Sequence, residues 1–157
     1  MARTTPATLA LTQAKVPFAL VSYDYDPGAA RVGLQAAEAL GLPPGQVFKT
    51  LMTEVDGNAV CVILPSDAEV NMKKLAALFG GKLARMMPSA DAERRTGYKV
   101  GGVSPLGQRR PAPCLLDDSA LALAEIHING GQRGLQIRLA PGDLVRVLGC
   151  RTGDLRR

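Results

Sequence analysis

The 157-residue chain has no tryptophan, few other aromatic residues, and a single histidine, His127. With so few aromatic side chains, the core must be built mainly from aliphatic residues and methionine. One histidine excludes a zinc site with three histidine ligands, and a Ser-His-Asp triad would have to use His127. Because His127 alternates with Ile126 and Ile128, a structural role is favoured over that of a catalytic base.

Several other signatures are missing. Cys61, Cys114 and Cys150 are widely separated and form no C-x-x-C pair, which indicates reduced, buried thiols rather than a disulfide framework or a zinc ribbon. No P-loop, G-x-S-x-G or dinucleotide-binding pattern and no metal-ligand cluster is visible, so we expect no cofactor and no metal. No apolar run approaches the roughly 20 residues of a membrane helix, and the N-terminus lacks a signal-peptide core. We therefore expect a cytoplasmic protein with no membrane contact.

The remaining composition is that of an ordinary globular protein, with 46% hydrophobic and 21% charged residues. A chain of this length fits one compact domain, so we expect a single domain over residues 1–157 and, by default, a monomer. The net charge of +5 suits a polyanionic partner such as a nucleic acid. A basic surface without such a partner fits the composition equally well.

The apolar pattern predicts alternating helices and strands. Helices are expected from Pro6 to about Lys15 and over residues 34–40, 72–79, 89–96 and 141–149, with Thr5 and Asn71 as the N-caps of the first and third. Strands are expected over residues 18–23, 47–55, 59–64, 83–87, 114–118, 124–129 and 135–139, and a turn over 26–29. Asp56-Gly57 between two apolar runs signals a hairpin, and a second hairpin is expected around Gly130-Gly131. Two hairpins imply antiparallel pairing, so we predict an α/β (α+β) domain with a mixed sheet.

Lys49 is the first candidate functional residue, because it lies in the middle of the strand predicted over 47–55 with apolar neighbours. A lysine in such a strand needs either solvent or an anionic partner. One interpretation is a charge that discourages aggregation at an edge strand. The other is a cation directed into a pocket, where it binds a phosphate or a developing oxyanion. The pattern alone leaves both open.

Two glycine-containing segments are the next candidates. Residues 101–105, Gly-Gly-Val-Ser-Pro, lie within the Gly- and Pro-rich stretch 97–113, which is long for a loop in a compact domain. Their backbone N–H groups could polarise an ester carbonyl, although such loops are commonly just turns. Residues 129–134 read as a hairpin connection, in which Arg133 is either a solvated charge or a phosphate contact.

Longer ordered segments resemble a known family. They are TPA at 5–7, SYDYDP at 22–27, AAEALG at 36–41, VFKTLM at 47–52, TGYKVGGVSPLGQRR at 96–110 and GGQRGLQIRLAPGDLVRVLG at 130–149. In these segments the chain is similar to the bacterial YbaK/EbsC proteins, free-standing relatives of the editing domain inserted in prolyl-tRNA synthetases. The similarity runs over nearly the whole chain and is more specific than any single motif.

The resemblance implies a compact domain whose mixed, mostly antiparallel and strongly curved, barrel-like sheet surrounds a pocket and is flanked by helices. It implies deacylation of mischarged tRNA, most typically Cys-tRNA(Pro), with aminoacyl-tRNA as partner and a transient complex with prolyl-tRNA synthetase. The catalytic residues it assigns are Lys49, Gly101 and Gly102. The substrate-binding residues it assigns are Tyr23, Val32, Thr50, Val103, Ser104, Pro105, Asn129, Gly130 and Gly131.

The resemblance also implies that the thiol of a cysteinyl substrate attacks its own ester carbonyl, releasing tRNA and a thiolactone. The loop N–H groups would then hold the carbonyl oxygen, and Lys49 the terminal adenosine. The chain departs from the family pattern at Val32, Asn129 and Gln136, where an aromatic, a serine and an aspartate are common. The alternatives are a water-using deacylase for alanyl- or another aminoacyl-tRNA, a non-catalytic tRNA- or synthetase-binding module, and a small-nucleotide-binding protein.

Overall fold

The computed structural model describes residues 4–27 and 32–157, apart from the side chains of Val32 and Gly33. The helices in this part of the chain are α1 (Pro6–Gln13), α2 (Val32–Leu40), α3 (Met72–Leu78), α4 (Ser89–Thr96) and α5 (Pro141–Leu148). The strands are β1 (Ala19–Ser22), β2 (Phe48–Val55), β3 (Asn58–Pro65), β4 (Ala84–Met86), β5 (Cys114–Asp117), β6 (Ile126–Asn129), β7 (Leu135–Leu139) and β8 (Arg151–Gly153). The turn predicted over 26–29 lies partly outside the described residues.

The strands form two sheets, one of three strands in the order β1-β7-β6 and one of five in the order β4-β2-β3-β5-β8. Antiparallel pairs join β1 to β7, β6 to β7, β2 to β3 and β2 to β4, whereas β3–β5 and β5–β8 are parallel. The prediction of a mixed, mostly antiparallel arrangement with flanking helices is therefore confirmed. The described strands do not close into one barrel; the sheets meet at a bridge between Val47 and His127.

Local sequence signals explain most element boundaries. Asp56 and Gly57 both have positive φ, at 49° and 83°, as a two-residue hairpin turn between β2 and β3 requires. Thr5 caps α1 through a capping box, and the Asn71 side chain accepts a hydrogen bond from the Lys74 N–H at 3.0 Å at the start of α3. These predicted caps and the first hairpin are confirmed.

The five-stranded sheet separates two apolar clusters. Phe48, Met52 and Ile63 belong to the larger cluster, which extends to α1, β6 and β7. Leu64 and Leu75 belong to the smaller one, which lies under α3. Cys61, Cys114 and Cys150 are free and buried, as expected. Among the described residues, no helix is both long and apolar enough to span a membrane.

Candidate active site

A cavity of about 290 Å³ lies beside the first half of β2. β4 pairs with β2 only at Thr53–Val55, so within the described chain residues 48–52 have no strand neighbour on that side. The gap is walled by β2, β4, the start of α4, the loop after α4 and the second hairpin. The lining residues are Tyr23, Ala36, Val47, Phe48, Lys49, Thr50, Leu51, Met52, Met86, Met87, Ser89, Ala92, Val100, Gly101, Val103, Asn129 and Gln136.

Lys49 is a partly buried cation on the β2 wall of this cavity. Among residues 4–27 and 32–157 its ammonium group has no ion-pair partner. Burial lowers its pKa from 10.5, and the charges of Glu69 and Asp67 partly oppose that shift. β2 has no described strand neighbour on one side at this point, and residues of the loop and the hairpin line the cavity there. A partly desolvated cation without a carboxylate is suited to an anionic or polar ligand in the cavity.

Two buried side-chain oxygens on the cavity wall also lack partners. Thr50 Oγ1 and Gln136 Oε1 accept or donate no hydrogen bond within the described residues, and Gln136 is only 4% exposed. A buried polar atom left without a partner costs about 1–3 kcal/mol. Both oxygens are buried, so a donor of a ligand in the cavity would remove that cost after a side-chain rotation that turns them toward the cavity.

The loop wall presents backbone donors from Gly101 and Val103. Neither N–H group has an acceptor in the described part of the chain, and both residues line the cavity. Gly101 has φ of +89°, and a Cβ added there would lie 2.6 Å from Tyr25 Oη, a residue that does not line the cavity. Glycine is therefore needed for the backbone conformation and for close packing against Tyr25.

Gly102 differs from Gly101 in both respects. Its N–H already donates to the Lys99 carbonyl at 2.8 Å, closing a turn. A Cβ added to Gly102 would lie 3.0 Å from the Arg133 backbone nitrogen, so this glycine lets the loop pack against the second hairpin. It is not among the lining residues. The available loop donors are therefore those of Gly101 and Val103, rather than Gly101 and Gly102 as predicted.

Asn129 connects the hairpin to the loop. Its amide nitrogen donates to the Gly101 carbonyl at 3.0 Å, and its Oδ1 accepts from the N–H groups of Gly131 at 2.7 Å and Gln132 at 3.3 Å. One side chain thus holds the hairpin turn and the Gly101 peptide in a fixed relation. A serine at this position is too short to make the same set of contacts.

The other predicted binding residues divide between the cavity and the structure behind it. Tyr23 lines the cavity, and burial raises its pKa above 10.0. Ser104 and Pro105 are buried behind the loop, where the Ser104 hydroxyl accepts from the Leu106 N–H at 3.3 Å. Val32 begins α2, but its side chain lies outside the described residues.

Gly130 and Gly131 also lie outside the lining of the cavity. The Gly130 carbonyl accepts from the Thr5 hydroxyl at 2.6 Å. A Cβ at Gly131 would lie 2.7 Å from the Tyr98 ring. These two glycines therefore let the hairpin pack closely against Tyr98 and the N-terminal cap of α1.

Sequence reasoning missed the apolar floor of the site, which is rich in methionine. Met52, Met86 and Met87 all line the cavity. Methionine is flexible and polarisable, and it adapts well to small apolar or sulfur-containing groups. The adjacent pair Met86-Met87 at the end of a predicted strand was the available signal, but its position depends on which strand β4 pairs with.

The described lining residues include no cysteine, histidine, aspartate or glutamate. His127 lies outside the lining, and burial, followed by the charge of Arg138, lowers its pKa below 6.5. Among the described residues no group of three potential metal-ligating side chains comes together. With no histidine or carboxylate in the described lining to activate the hydroxyls of Thr50 or Ser89, the cavity suits a reaction whose nucleophile comes from the ligand or from water, with the protein supplying charge, donors and position.

Comparisons with known proteins point to translation. A family described as the aminoacyl-tRNA editing domain matches residues 26–147. A protein of Enterococcus faecalis with the provisional name Cys-tRNA(Pro)/Cys-tRNA(Cys) deacylase EbsC is 40% identical over 106 residues, which are 67% of this chain and 65% of that protein. The proline–tRNA ligase of Acidithiobacillus ferrooxidans is 30% identical over 94 residues, 60% of this chain and 16% of the ligase. The chain therefore spans less than two thirds of either relative.

Solved structures share the whole fold. A crystal structure provisionally described as a trans-editing enzyme for prolyl-tRNA synthetase has a TM-score of 0.82 at 25% identity, covering 99% of both chains. The crystal structure of the hypothetical protein APE2540 has a TM-score of 0.86 at 22% identity, covering 98% of this chain and all of that one. The second likeness concerns the fold alone.

Proposed function

The chain belongs to the aminoacyl-tRNA editing domain family, and we propose that it is a trans-editing deacylase that releases cysteine from Cys-tRNA(Pro) and, as a related substrate, Cys-tRNA(Cys). The observation that carries the proposal is the cavity itself. Within the described residues, Lys49 on one wall has no ion pair, and the N–H groups of Gly101 and Val103 in the opposite, loop wall have no acceptor. The name of the Enterococcus relative supports the same substrate class.

In this proposal the 3′-terminal aminoacyl-adenosine enters the cavity. Lys49 contacts the phosphate or ribose of the adenosine, because an ammonium group without a carboxylate partner binds anionic and hydroxyl oxygens favourably. The aminoacyl side chain lies against Met52, Met86 and Met87, which suit a small thiol. After a rotation of their side chains toward the cavity, Thr50 Oγ1 and Gln136 Oε1 accept hydrogen bonds from the α-ammonium group, which removes the cost of their burial.

The described lining has no cysteine, histidine or carboxylate to act as a nucleophile or to activate the hydroxyl of Thr50 or Ser89, so the proposed chemistry uses the thiol of the substrate. The cysteinyl sulfur attacks the ester carbonyl carbon, forming a C–S bond while the C–O bond to the ribose breaks. The thiol proton passes to the departing ribose oxygen, so the products are a cyclic thiolactone and tRNA with a free terminal hydroxyl. The N–H groups of Gly101 and Val103 stabilise the oxyanion, an effect for which one donor is worth about 10²–10³-fold in rate.

A deacylation panel tests the proposal. Purified protein is mixed with Cys-, Ala-, Ser- and Pro-tRNA(Pro), and single-turnover release is followed together with the identity of the released cysteine product. We expect fast release for Cys-tRNA(Pro) alone, with thiolactone as the first product. Fast release of alanine would contradict the substrate-thiol mechanism and would favour a deacylase that uses water as the nucleophile.

A non-catalytic binding module is the remaining outcome of the same panel. It would bind tRNA but release no amino acid from any of the four substrates. Lys49→Ala in parallel serves as the matched variant. Its activity should be lost if the active-site assignment is correct, and near-wild-type release by Lys49→Ala would overturn the role of this residue.

A further inference from the structure

The basic side chains of the described chain fall into two groups. Seven of them, Lys74, Arg85, Arg94, Arg138, Arg146, Arg156 and Arg157, pair with a carboxylate. Among those without a carboxylate partner in the described residues, one set is drawn from the last turn of α4, the loop after it and the second hairpin. This set, Arg95, Lys99, Arg109, Arg110 and Arg133, is referred to as the loop–hairpin cations. Other unpaired lysines, such as Lys73 and Lys82, lie elsewhere on the surface.

The sequence explains why these charges stay unpaired. Between residues 94 and 116 the chain has no aspartate or glutamate and five basic residues, of which Arg94 pairs with Asp91 and the other four are loop–hairpin cations. The carboxylate that directly precedes this stretch, Glu93, accepts a hydrogen bond from the Val100 N–H at 2.8 Å. The segment therefore carries a local positive surplus that the fold does not neutralise, and such a surplus attracts polyanions.

Backbone hydrogen bonds bring the loop–hairpin cations into one surface. The Arg109 N–H donates to the Thr96 carbonyl at 3.0 Å, and the Arg110 N–H donates to the Arg95 carbonyl at 2.9 Å. The returning part of the loop thus lies beside the end of α4. Lys99 directly precedes Val100, which lines the cavity and is 45% exposed. The surface therefore extends from the end of α4 to the rim of the cavity.

Arg133 joins the hairpin side of this surface to the same rim. Its Nε donates to the Val100 carbonyl at 3.0 Å, and its guanidinium lies 5.4 Å from the centre of the Tyr25 ring. Two contacts hold the side chain in place, so less conformational entropy is lost when it binds an anion. The terminal nitrogens of the guanidinium make no hydrogen bond or ion pair within residues 4–27 and 32–157, so they can contact phosphate.

We infer that the loop–hairpin cations form the docking surface for the phosphate backbone of the tRNA acceptor end. The inference rests on the proposed function, because an aminoacyl-adenosine in the cavity places the preceding nucleotides at the rim beside Lys99 and Arg133. Contacts of this kind position an RNA without reading its sequence. The loop–hairpin cations would therefore not distinguish one tRNA from another.

Salt-dependent binding of uncharged tRNA tests this surface directly. The variant Arg109→Gln/Arg110→Gln removes two exposed cations, and Lys73→Gln/Lys82→Gln removes two unpaired exposed lysines from α3 and the turn before β4 as a control of equal charge. Each lost phosphate contact reduces the slope of log affinity against log salt by about 1. We expect a reduction of about 2 for the arginine pair, a slope near wild type for the lysine pair, and about 1 for Lys99→Gln as a second probe.

Release from a short substrate separates this inference from the proposed function. On 3′-cysteinyl-adenosine, which has no acceptor stem, the arginine pair should match the wild type, whereas its kcat/KM on Cys-tRNA(Pro) should fall. Equal salt slopes for the arginine and lysine pairs would overturn the docking surface, even if the wild type deacylates both substrates. If the wild type deacylates neither substrate, the proposed function fails, and the salt slopes still decide the docking surface.

Discussion

Two polar regions of the molecule are built in opposite ways. At the end of β5, Asp117 is completely buried, yet its carboxylate is fully engaged by C-terminal and neighbouring residues. It pairs with Arg156 at 3.1 Å and accepts hydrogen bonds from the Ser119 hydroxyl at 2.5 Å and the Leu155 N–H at 3.0 Å. This region is called the Asp117 corner below.

The cavity beside β2 has the reverse character. Lys49 has no ion pair, and Thr50 Oγ1 and Gln136 Oε1 have no hydrogen bond within the described residues. Polar groups that satisfy one another stabilise the fold, whereas polar groups that remain unsatisfied are available to a ligand. The comparison therefore predicts that changes in the Asp117 corner alter stability and that changes in the cavity alter activity.

Replacing the central carboxylate of the satisfied region should have the largest effect on stability. Asp117→Ala leaves the Leu155 N–H and the Arg156 guanidinium without their partner, and we expect a loss of about 2–3 kcal/mol in the free energy of unfolding. Chemical denaturation measures it. Asp154→Ala, in the exposed pair with Lys74, is the control and should change stability little. Retained stability in Asp117→Ala would contradict the comparison.

Asn129→Asp should reduce activity while leaving stability nearly unchanged. The substitution keeps the acceptor for the Gly131 N–H but replaces the donor to the Gly101 carbonyl by a second acceptor. The Gly101 peptide then loses its fixed position, and misplacement of about 1 Å can cost on the order of 10²-fold in rate. Single-turnover release of cysteine measures the effect, and Asn129→Gln tests whether a longer amide restores it. Wild-type rates of release by Asn129→Asp would show that Asn129 does not position the Gly101 peptide.

Gln136→Met should weaken substrate binding in the cavity while increasing the stability of the fold. Removing a buried oxygen without a partner should raise the free energy of unfolding by about 1 kcal/mol. The same change removes an acceptor for the α-ammonium group, so we expect KM to rise about tenfold, equivalent to one hydrogen bond to a charged group. Steady-state kinetics and chemical denaturation on the same sample measure the changes in KM and in the free energy of unfolding. A loss of stability with unchanged KM would mean that Gln136 serves the fold.

The smallest expected effect is on the pH dependence of stability, and it concerns His127, which lies outside the cavity lining. Burial lowers its pKa from 6.5, so the folded state disfavours the protonated form. Its contribution to stability is complete above pH 6.5 and is lost as the pH falls from 6.5 through the lowered pKa of the folded state. His127→Gln should therefore lose less stability than the wild type between pH 7 and pH 5. Equal losses in both proteins would contradict this assignment.

Local sequence patterns were sufficient for most of the fold. Asp56-Gly57 predicted the β2–β3 hairpin, and Asn71 predicted the start of α3, because turns and caps depend on a few neighbouring residues. β8 was missed, since its three residues have largely exposed side chains and no apolar pattern. Strand alternation also identified Lys49 as unusual before any contact was known.

The cavity could not be predicted to the same degree. Its existence depends on β4 stopping beside the middle of β2, a non-local pairing that brings Met86 and Met87 to the site. Gly101 and Gly102 are equivalent in the sequence, and only their hydrogen bonds distinguish a free donor from one used in a turn. The lack of a partner for Gln136 Oε1 likewise depends on packing between the sheets.

The central claim is that Lys49 is kept unpaired for a substrate rather than for the fold. Measuring cysteine release from Cys-tRNA(Pro) and the free energy of unfolding on the same Lys49→Met sample tests it most directly. The account predicts that release falls by about 10²-fold or more while stability is unchanged or higher, because a desolvated charge has been removed. Near-wild-type release, or a loss of activity explained by unfolding, would contradict it.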